Sequence, residues 1–380
     1  MGACAAFVRM PWALSVIALV LASAALPARA AGEDETCAAD GKGCVELPVY
    51  PDCEHSCDRQ RCIGPNSGNT QQIWPACPDG PEGCKDCADR NPDCPQWAQA
   101  YGGLGCEDNP SFMIDVCAHS CNTCHLNDWA VRCKHLMDMP DSLGPGDLNK
   151  TFQRLLNIKG LDVKVLSEDP WVVMFPKFLT DEEIEYLKDE KTRGPWQSAS
   201  DSGEEDEFGR RQMVFSSNRK TDVAWCNCAC SEHPIGLRLI SRVSEMLQVH
   251  PHYHMESMQF LKYTQGMYYK AHHDAARIGA RNDPRNIGKH RIFTFFMYLN
   301  DVTEGGGTYF PQLSLKIQPG RGNAILWPSV QNDDPWQVDW RTQHEALVVE
   351  KGEKLSMNMW WYLGPSQLAH DVGCSGSPLG

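Results

Sequence analysis

Basic residues are in the minority in this chain. Its 35 Lys and Arg stand against 49 Asp and Glu, a formal net charge of -14 over 380 residues. No positive excess exists to neutralise phosphates, so nucleic acid is excluded as a partner. Long apolar runs are nearly missing too. The one present, Trp12 to Leu26, is fifteen residues long, short of the roughly 20 needed to cross a bilayer. With Arg9 before it and Ala28-Arg29-Ala30 after it, it reads as a signal peptide over residues 1–30, cleaved after Ala30. Retention as an uncleaved N-terminal membrane anchor is the alternative. Position 6 holds Ala rather than Ser or Thr, which argues against myristoylation of Gly2. No Lys/His-Asp-Glu-Leu retrieval signal ends the sequence, which closes on Ser377-Pro-Leu-Gly380; residence in the endoplasmic reticulum then needs a partner or the anchor. Hydrophobic residues are sparse between 31 and 84, where Cys, Pro, Gly and acidic residues dominate. Such a segment cannot bury much surface and must take its order from disulfides, in a fold left unassigned. No internal repeat is present.

Cysteine, by contrast, is abundant. Of the 19 cysteines, Cys4 leaves with the signal and 18 remain, 13 of them between Cys37 and Cys124. That usage implies an oxidising compartment: the endoplasmic reticulum lumen, the Golgi or the exterior. The sequon Asn149-Lys150-Thr151 fits the same route, whereas Asn109-Pro110-Ser111 is disqualified by its proline. In the run Cys117-Ala-His-Ser-Cys121-Asn-Thr-Cys124 the cysteines share one helical face, a hub for three bridges. Spacing alone leaves the connectivity open, and a zinc site is the competing reading. Residues 85–125 resemble the ShK-toxin-like (ShKT) module, through these cysteines with Cys87, Cys94 and Cys106, Trp97, Asn109-Pro110, Met113 and the Ser120-Cys121-x-x-Cys124 ending. The resemblance implies the pairings Cys87–Cys124, Cys94–Cys117 and Cys106–Cys121.

Residues 126–165 read as a linker, with Pro140, Gly144-Pro145-Gly146 and the sequon. A large domain over 166–365 follows, then a tail over 366–380. Pro170 to Phe175 reads as a strand. Thr180 with Glu183 forms a capping box that starts a helix, and Leu237, Leu239, Ile240, Val243 and Leu247 recur at helical spacing. Beyond residue 255, short strands separated by Gly, Pro, Asn and Asp predict a barrel or sandwich. The expectation is a mainly β fold with flanking helices, plus the small disulfide-rich module. In Cys226-Asn-Cys228-Ala-Cys230, a disulfide from Cys226 to Cys230 or to a more distant partner is expected, with zinc held jointly with His233 as the alternative. Cys133 and Cys374 are expected to pair with members of this cluster.

The segment Tyr268-Tyr269-Lys270-Ala271-His272-His273-Asp274 contains a His-x-Asp pair. On a strand, residues i and i+2 face the same way, so His272 and Asp274 can share a metal while His273 points away. Two nitrogens and one carboxylate on one face of Fe(II) leave three positions for a bidentate keto acid and dioxygen. His344 is the candidate third ligand, and Lys354 follows it ten residues on. A hairpin turning at Glu350-Lys351-Gly352, with Gly352 left-handed, would pair Val348 with Lys354 and place Lys354 on the face of His344. The separation would be about 13 Å at strand rise, a span that a lysine side chain plus 2-oxoglutarate can bridge. A two-residue turn would aim Lys354 outward instead.

Around these residues the chain resembles the prolyl 4-hydroxylase family, over about residues 166 to 365. The matching features are Phe260-Leu-Lys-Tyr263-x-x-Gly266-x-x-Tyr269-x-x-His272-x-Asp274, Arg291-x-x-Thr294, Tyr298-Leu-Asn-Asp-Val302, Gly305-Gly-Gly-Thr308-Tyr-Phe-Pro311, Gly322-x-Ala324-x-x-Trp327, and His344 through Lys354 to Trp360. The resemblance implies a double-stranded β-helix (jelly-roll, cupin-like) core, with iron on His272, Asp274 and His344. It implies further that Lys354, Tyr263 and Thr308 contact 2-oxoglutarate, and that Tyr269, Arg291 and Trp360 wall the active site or peptide groove. The implied reaction converts 2-oxoglutarate to succinate and carbon dioxide and hydroxylates C4 of a peptidyl proline. Its implied cofactors are Fe(II), 2-oxoglutarate, O2 and L-ascorbate, and its partner is a proline-rich polypeptide. Phe293, Phe295, Phe296 and Trp327 would shelter the oxidant. Glu345-Ala346 departs from the Ala-Gly of many relatives, reshaping the groove but sparing the ligand set. The alternatives are an oxygenase acting on another side chain such as lysine, or an inert barrel carrying a ShKT binding module.

Overall fold

The computed structural model describes residues 87–374, apart from 101–104, 109, 206–210, 215–216, 227, 232, 251–253, 276–286 and 289. The signal peptide, the Cys-rich segment 31–84, Asn109 and the last six residues of the tail lie outside the described residues.

The strands in chain order are β1 (Lys164–Glu168), β2 (Trp171–Phe175), β3 (Gln197–Ser198), β4 (Asp201–Glu205), β5 (Arg211–Val214), β6 (Arg219–Lys220), β7 (Asp222–Trp225), β8 (Gln259–Tyr263) and β9 (Tyr268–His272). They continue as β10 (Arg291–Tyr298), β11 (Glu304–Gly305), β12 (Thr308–Phe310), β13 (Leu315–Ile317), β14 (Ala324–Pro328), β15 (His344–Ala346), β16 (Val349–Lys351) and β17 (Lys354–Tyr362). An eight-stranded sheet runs β1-β2-β14-β10-β17-β8-β7-β3, and a five-stranded sheet runs β13-β12-β15-β9-β6. From β8 onward the chain passes repeatedly between them, with β11 and β16 paired in a separate two-stranded ribbon.

Side-chain alternation explains how the larger sheet serves two environments. On β10, Phe293, Phe295 and Met297 face the main core, as do Leu326 on β14 and Met357, Met359 and Trp361 on β17. Phe296, Tyr298, Ile325 and Trp327 take the other parity and pack with Phe310 and Ile317 of the five-stranded sheet. Phe293 and Phe295, expected at the site, therefore line the outer core, whereas Phe296 and Trp327 face inward. β10 is buried on both faces, so Ile292 to Tyr298 carries no charge. Gly305 sits at a register shift between β11 and β16 with φ +76. A Cβ there would lie 2.3 Å from the Val348 carbonyl oxygen, so only glycine fits.

Helices cover the outer face. Helix α1 (Asp147–Leu155) lies in the stretch read as a linker, yet Leu148, Phe152 and Leu155 join the main core. Phe152 stacks on Trp171 at 5.3 Å. Helix α2 (Asp181–Lys188) opens with the expected capping box: Glu183 N donates to Thr180 Oγ1 and Thr180 N to Glu183 Oε2. Helix α3 (Pro234–Leu247) buries Leu239, Ile240, Val243 and Leu247, while Leu237 points outward at 42% exposure.

The N-terminal module carries the three bridges Cys87–Cys124, Cys94–Cys117 and Cys106–Cys121. Its core is small (Cys94, Met113, Val116 and Cys117), so the cross-links supply order that burial alone would not. One cysteine expectation changes. Cys133 and Cys374 pair with each other across 241 residues rather than with the Cys226 cluster. Helix α4 (Ser366–Asp371) brings Cys374 to Cys133, and both are buried with Leu136, Ala369 and Val372. Cys226 bridges Cys230, so neither thiol is left for zinc. His233 instead caps α3 by accepting from Ile235 N and stacks on Tyr186 at 4.3 Å.

Two buried histidines outside the sheets' polar interior should make the fold acid-sensitive. His290 is stacked on Trp336 at 5.8 Å, and His254 lies against the Gly364 carbonyl at 2.9 Å. Burial pushes each imidazole down from 6.5 to about 4. On acidification the unfolded chain binds these protons first, so stability is lost as pH falls from 6.5 towards 4. The loss is up to about 3 kcal/mol per histidine. Urea midpoints measured between pH 7 and 5 should fall steeply, and His290→Phe should reduce the slope.

Candidate active site

His272 ends β9 and His344 opens β15, and the two residues are register partners across the five-stranded sheet. Asp274 follows two residues after His272, as the alternation of a strand requires. His344 Nε2 lies 3.6 Å from Asp274 Oδ2, and His272 Nε2 lies 3.8 Å from Asp274 Oδ1. One ligand atom from each of the three residues falls within 4.8 Å of the others. The Nδ1 atoms of His272 and His344 meet the carbonyls of Lys270 and Thr342 at 2.9 and 3.0 Å. Each carbonyl requires Nδ1–H, which leaves Nε2 with a lone pair aimed into the cluster.

The electrostatics suit a divalent cation. Burial, with His344 nearby, holds His272 neutral, its pKa lowered to about 3. Burial works against ionisation of Asp274, but His344, His272, a bond from Thr294 Oγ1 at 2.6 Å and the charge of Arg291 outweigh it and hold Asp274 near 2. An ionised Asp274 carboxylate and a neutral His272 imidazole are protonation states that suit metal binding. This donor set fits Fe(II).

These residues line a cavity of about 110 Å³ between the two sheets, together with Tyr263, Tyr269, Arg291, Thr308, Lys354 and Trp360. The expected metal ligands, cosubstrate contacts and wall residues thus come together, whereas Phe293 and Phe295 lie in the outer core. Lys354 is 1% exposed, and its Nζ has no hydrogen-bond partner among the described residues. The rings of Tyr263, Phe296 and Tyr298 surround it at 5.3 to 5.6 Å. Burial lowers this amine to about 7. A buried cation without a partner is costly, and a ligand carboxylate would satisfy it. Tyr263 is the register partner of Lys354, and Thr308, whose Oγ1 bonds Tyr298 OH at 2.8 Å, lines the same cavity.

The route to Lys354 differs from the expected hairpin. β15 pairs with β9 and β12, and β17 with β10 and β8. Between them β16 pairs with β11, and Val348 is 44% exposed rather than opposite Lys354. Gly352 does adopt a positive φ of +93. It serves a crossover, so His344 and Lys354 face one cavity from opposite sheets. The edges of β15 are already filled by β9 and β12, which leaves no place for β17.

The remaining wall residues interlock. Tyr269 stacks on His272 at 3.5 Å between ring centroids. Arg291 lies 3.7 Å over the Trp360 ring and pairs with Glu256 at 2.7 Å. Several contributors were missed from the sequence. Arg219, on β6 beside β9, sits over Tyr269 at 5.2 Å. Gln259 and Asn358 also line the cavity. Asn358 shares the parity of Lys354 and Trp360 and was reachable by alternation; Arg219 depends on a strand pairing that no local pattern signals. His273 points away from the cluster as expected, but it is not idle. Its Nδ1 accepts from Ala275 N, and Nε2 meets the Asp339 carbonyl at 3.0 Å and Thr342 Oγ1 at 3.1 Å, tying the loop before His344 to the end of β9.

Known proteins resemble this chain in both of its regions. Residues 258–362 match the 2OG-Fe(II) oxygenase superfamily, and residues 86–124 match the ShK domain-like family. Prolyl 4-hydroxylase 1 of Arabidopsis thaliana is 30% identical over 227 residues, which cover 56% of this chain and 76% of that protein. Prolyl 4-hydroxylase subunit alpha-1 of Rattus norvegicus is 29% identical over 201 residues, covering 51% of this chain and 35% of the subunit. The chain therefore spans only about a third of the animal subunits it matches. Among solved structures, the viral collagen prolyl hydroxylase of Paramecium Bursaria Chlorella virus-1 in complex with 2OG aligns at TM-score 0.39 and 24% identity, over 52% of this chain and 98% of that one. Oxygenases of the matched superfamily use Fe(II), 2-oxoglutarate and O2. The chain belongs to the prolyl 4-hydroxylase family of 2OG-Fe(II) oxygenases.

Proposed function

We propose that this protein hydroxylates C4 of peptidyl proline in proline-rich polypeptides of the secretory pathway, within a catalytic domain over residues 166–365. The observation that carries this reading is the sharing of one cavity by a His-Asp-His donor set and an unpartnered buried lysine. His272, Asp274 and His344 would hold Fe(II), and Lys354 would bind the distal carboxylate of 2-oxoglutarate, with Tyr263 and Thr308 beside it. When bound, the iron supplies the oxidising chemistry: one atom of dioxygen goes to 2-oxoglutarate, giving succinate and carbon dioxide, and the other to proline. L-Ascorbate would restore iron oxidised in uncoupled turnovers. Phe296, Phe310 and Trp327 keep the interior apolar and exclude water. Trp360, held under Arg291, and Tyr269 form the walls against which a proline ring would pack. The disulfides support a lumenal or extracellular setting.

Incubation with Fe(II), 2-oxoglutarate, ascorbate and a proline-rich peptide tests the proposal. A 16-dalton gain on proline, absent in His344→Ala, is the expected result. Succinate formation with the mass gain on lysine, or with proline untouched, would shift the substrate to another side chain. No turnover of 2-oxoglutarate would leave the ShKT-like module as the functional part.

A further inference from the structure

The chain contains a single Asn-x-Ser/Thr sequon, Asn149-Lys150-Thr151, and the hydroxylation site makes no use of it. Asn149 is exposed in the first turn of α1. Its Oδ1 accepts a hydrogen bond from Trp171 Nε1 at 2.8 Å, and its backbone N donates to Asn332 Oδ1 at 3.0 Å. The indole therefore fixes the orientation of the amide and leaves Nδ2 as the side-chain atom without a partner among the described residues. Asn149 also lines an open trough of about 550 Å³. One wall is the β1–β2 turn with Glu168 and Asp169, and the other is the loop carrying Asn332, Asp333 and Arg341. Arg341 bridges the two walls through Asp169 at 2.9 Å and Asp339 at 2.7 Å. Carboxylates, amides and a guanidinium around an open volume offer the acceptors and donors that sugar hydroxyls and an acetamido group need. Other surface features offer less. The exposed Trp225 and Leu237, for instance, have nothing beside them that says what would cover them.

We propose that Asn149 carries an N-linked oligosaccharide whose first N-acetylglucosamine lies in this trough. In the transfer, Asn149 Nδ2 bonds to C1 of the sugar and loses one proton. The C1–oxygen bond to the donor breaks, and a polyprenyl pyrophosphate leaves. Thr151 is buried in the folded chain at 3% exposure, which is no obstacle because sequons are modified before folding completes. The inference rests on passage through the secretory lumen, not on the hydroxylation reading.

The test uses the full chain expressed in eukaryotic cells, recovering only product whose cysteines resist alkylation without reductant, so that lumenal passage is established independently. After denaturation, peptide:N-glycosidase F should remove a glycan and convert Asn149 to Asp, a gain of about one dalton in the peptide. Thr151→Val, which keeps the shape of Thr151 and removes the sequon, should lack the glycan yet fold. Disulfide-bonded wild-type protein with unmodified Asn149 would overturn the proposal. Amide hydrogen exchange at residues 168–169 and 331–333 should be slower in the glycosylated protein than in Thr151→Val. Equal exchange would overturn the placement of the sugar in the trough.

Discussion

Lys354→Met is expected to weaken 2-oxoglutarate binding about a hundredfold. The variant keeps most of the side-chain volume in a fully enclosed slot, so it removes charge without opening a cavity. What it loses is a charge-assisted bond to a carboxylate that would then be buried without a partner, a cost of about 3 kcal/mol. The wild-type site should also show a characteristic pH dependence. Burial lowers the free amine to about 7, and only its charged form attracts a dianion. Binding is therefore strongest below pH 7. It should fall by up to about tenfold per pH unit above 7, until the pKa of the liganded amine is reached. Calorimetric titrations with 2-oxoglutarate, in buffers of different ionisation enthalpy, should reveal proton uptake at pH 8 in the wild type and none in Lys354→Met. A Lys354→Met variant that binds 2-oxoglutarate as tightly as the wild type would remove Lys354 from the proposed role.

His344→Ala should abolish turnover more completely still. Groups that merely orient metal ligands are worth about 10–100-fold. Losing a ligand outright should cost on the order of 10³-fold or more, with stoichiometric iron no longer retained through gel filtration. Thr294→Val offers the contrasting case. It deletes the 2.6 Å bond to Asp274 and no ligand, and so should fall in the 10–100-fold range while still binding iron. Metal content and rate measured together separate the two outcomes. An iron-loaded His344→Ala enzyme with near-normal rates would refute the ligand assignment.

Local periodicity made much of this molecule legible in its sequence. The capping box at Thr180, the buried face of α3 and the shared parity of Lys354 and Trp360 follow from patterns a few residues long. The hairpin reading shows where such patterns stop. Gly352 is left-handed, as the turn signal in the sequence suggests, yet a left-handed glycine serves a crossover as well as a turn. Only the pairing of β15 with β9 and β12 decides between them. Arg219 and the bond between Thr294 and Asp274 depend on strands meeting across the fold, which no spacing encodes. Residues 126–165 looked like a linker because of their prolines and glycines, but Leu148, Phe152 and Leu155 give α1 an apolar face that docks on the core. The Cys133–Cys374 bridge was hidden for the same reason, since its partners lie 241 residues apart.

That bridge changes what a protease can accomplish. Every peptide bond of the catalytic domain lies inside the covalent ring it closes, so a single cut within the ring linearises it without releasing either half. A nicked molecule would migrate at full mass on a non-reducing gel and split in two only after reductant is added. Before reduction, the two fragments, each tethered at one end through the bridge, would remain in position to re-form the packed sheets.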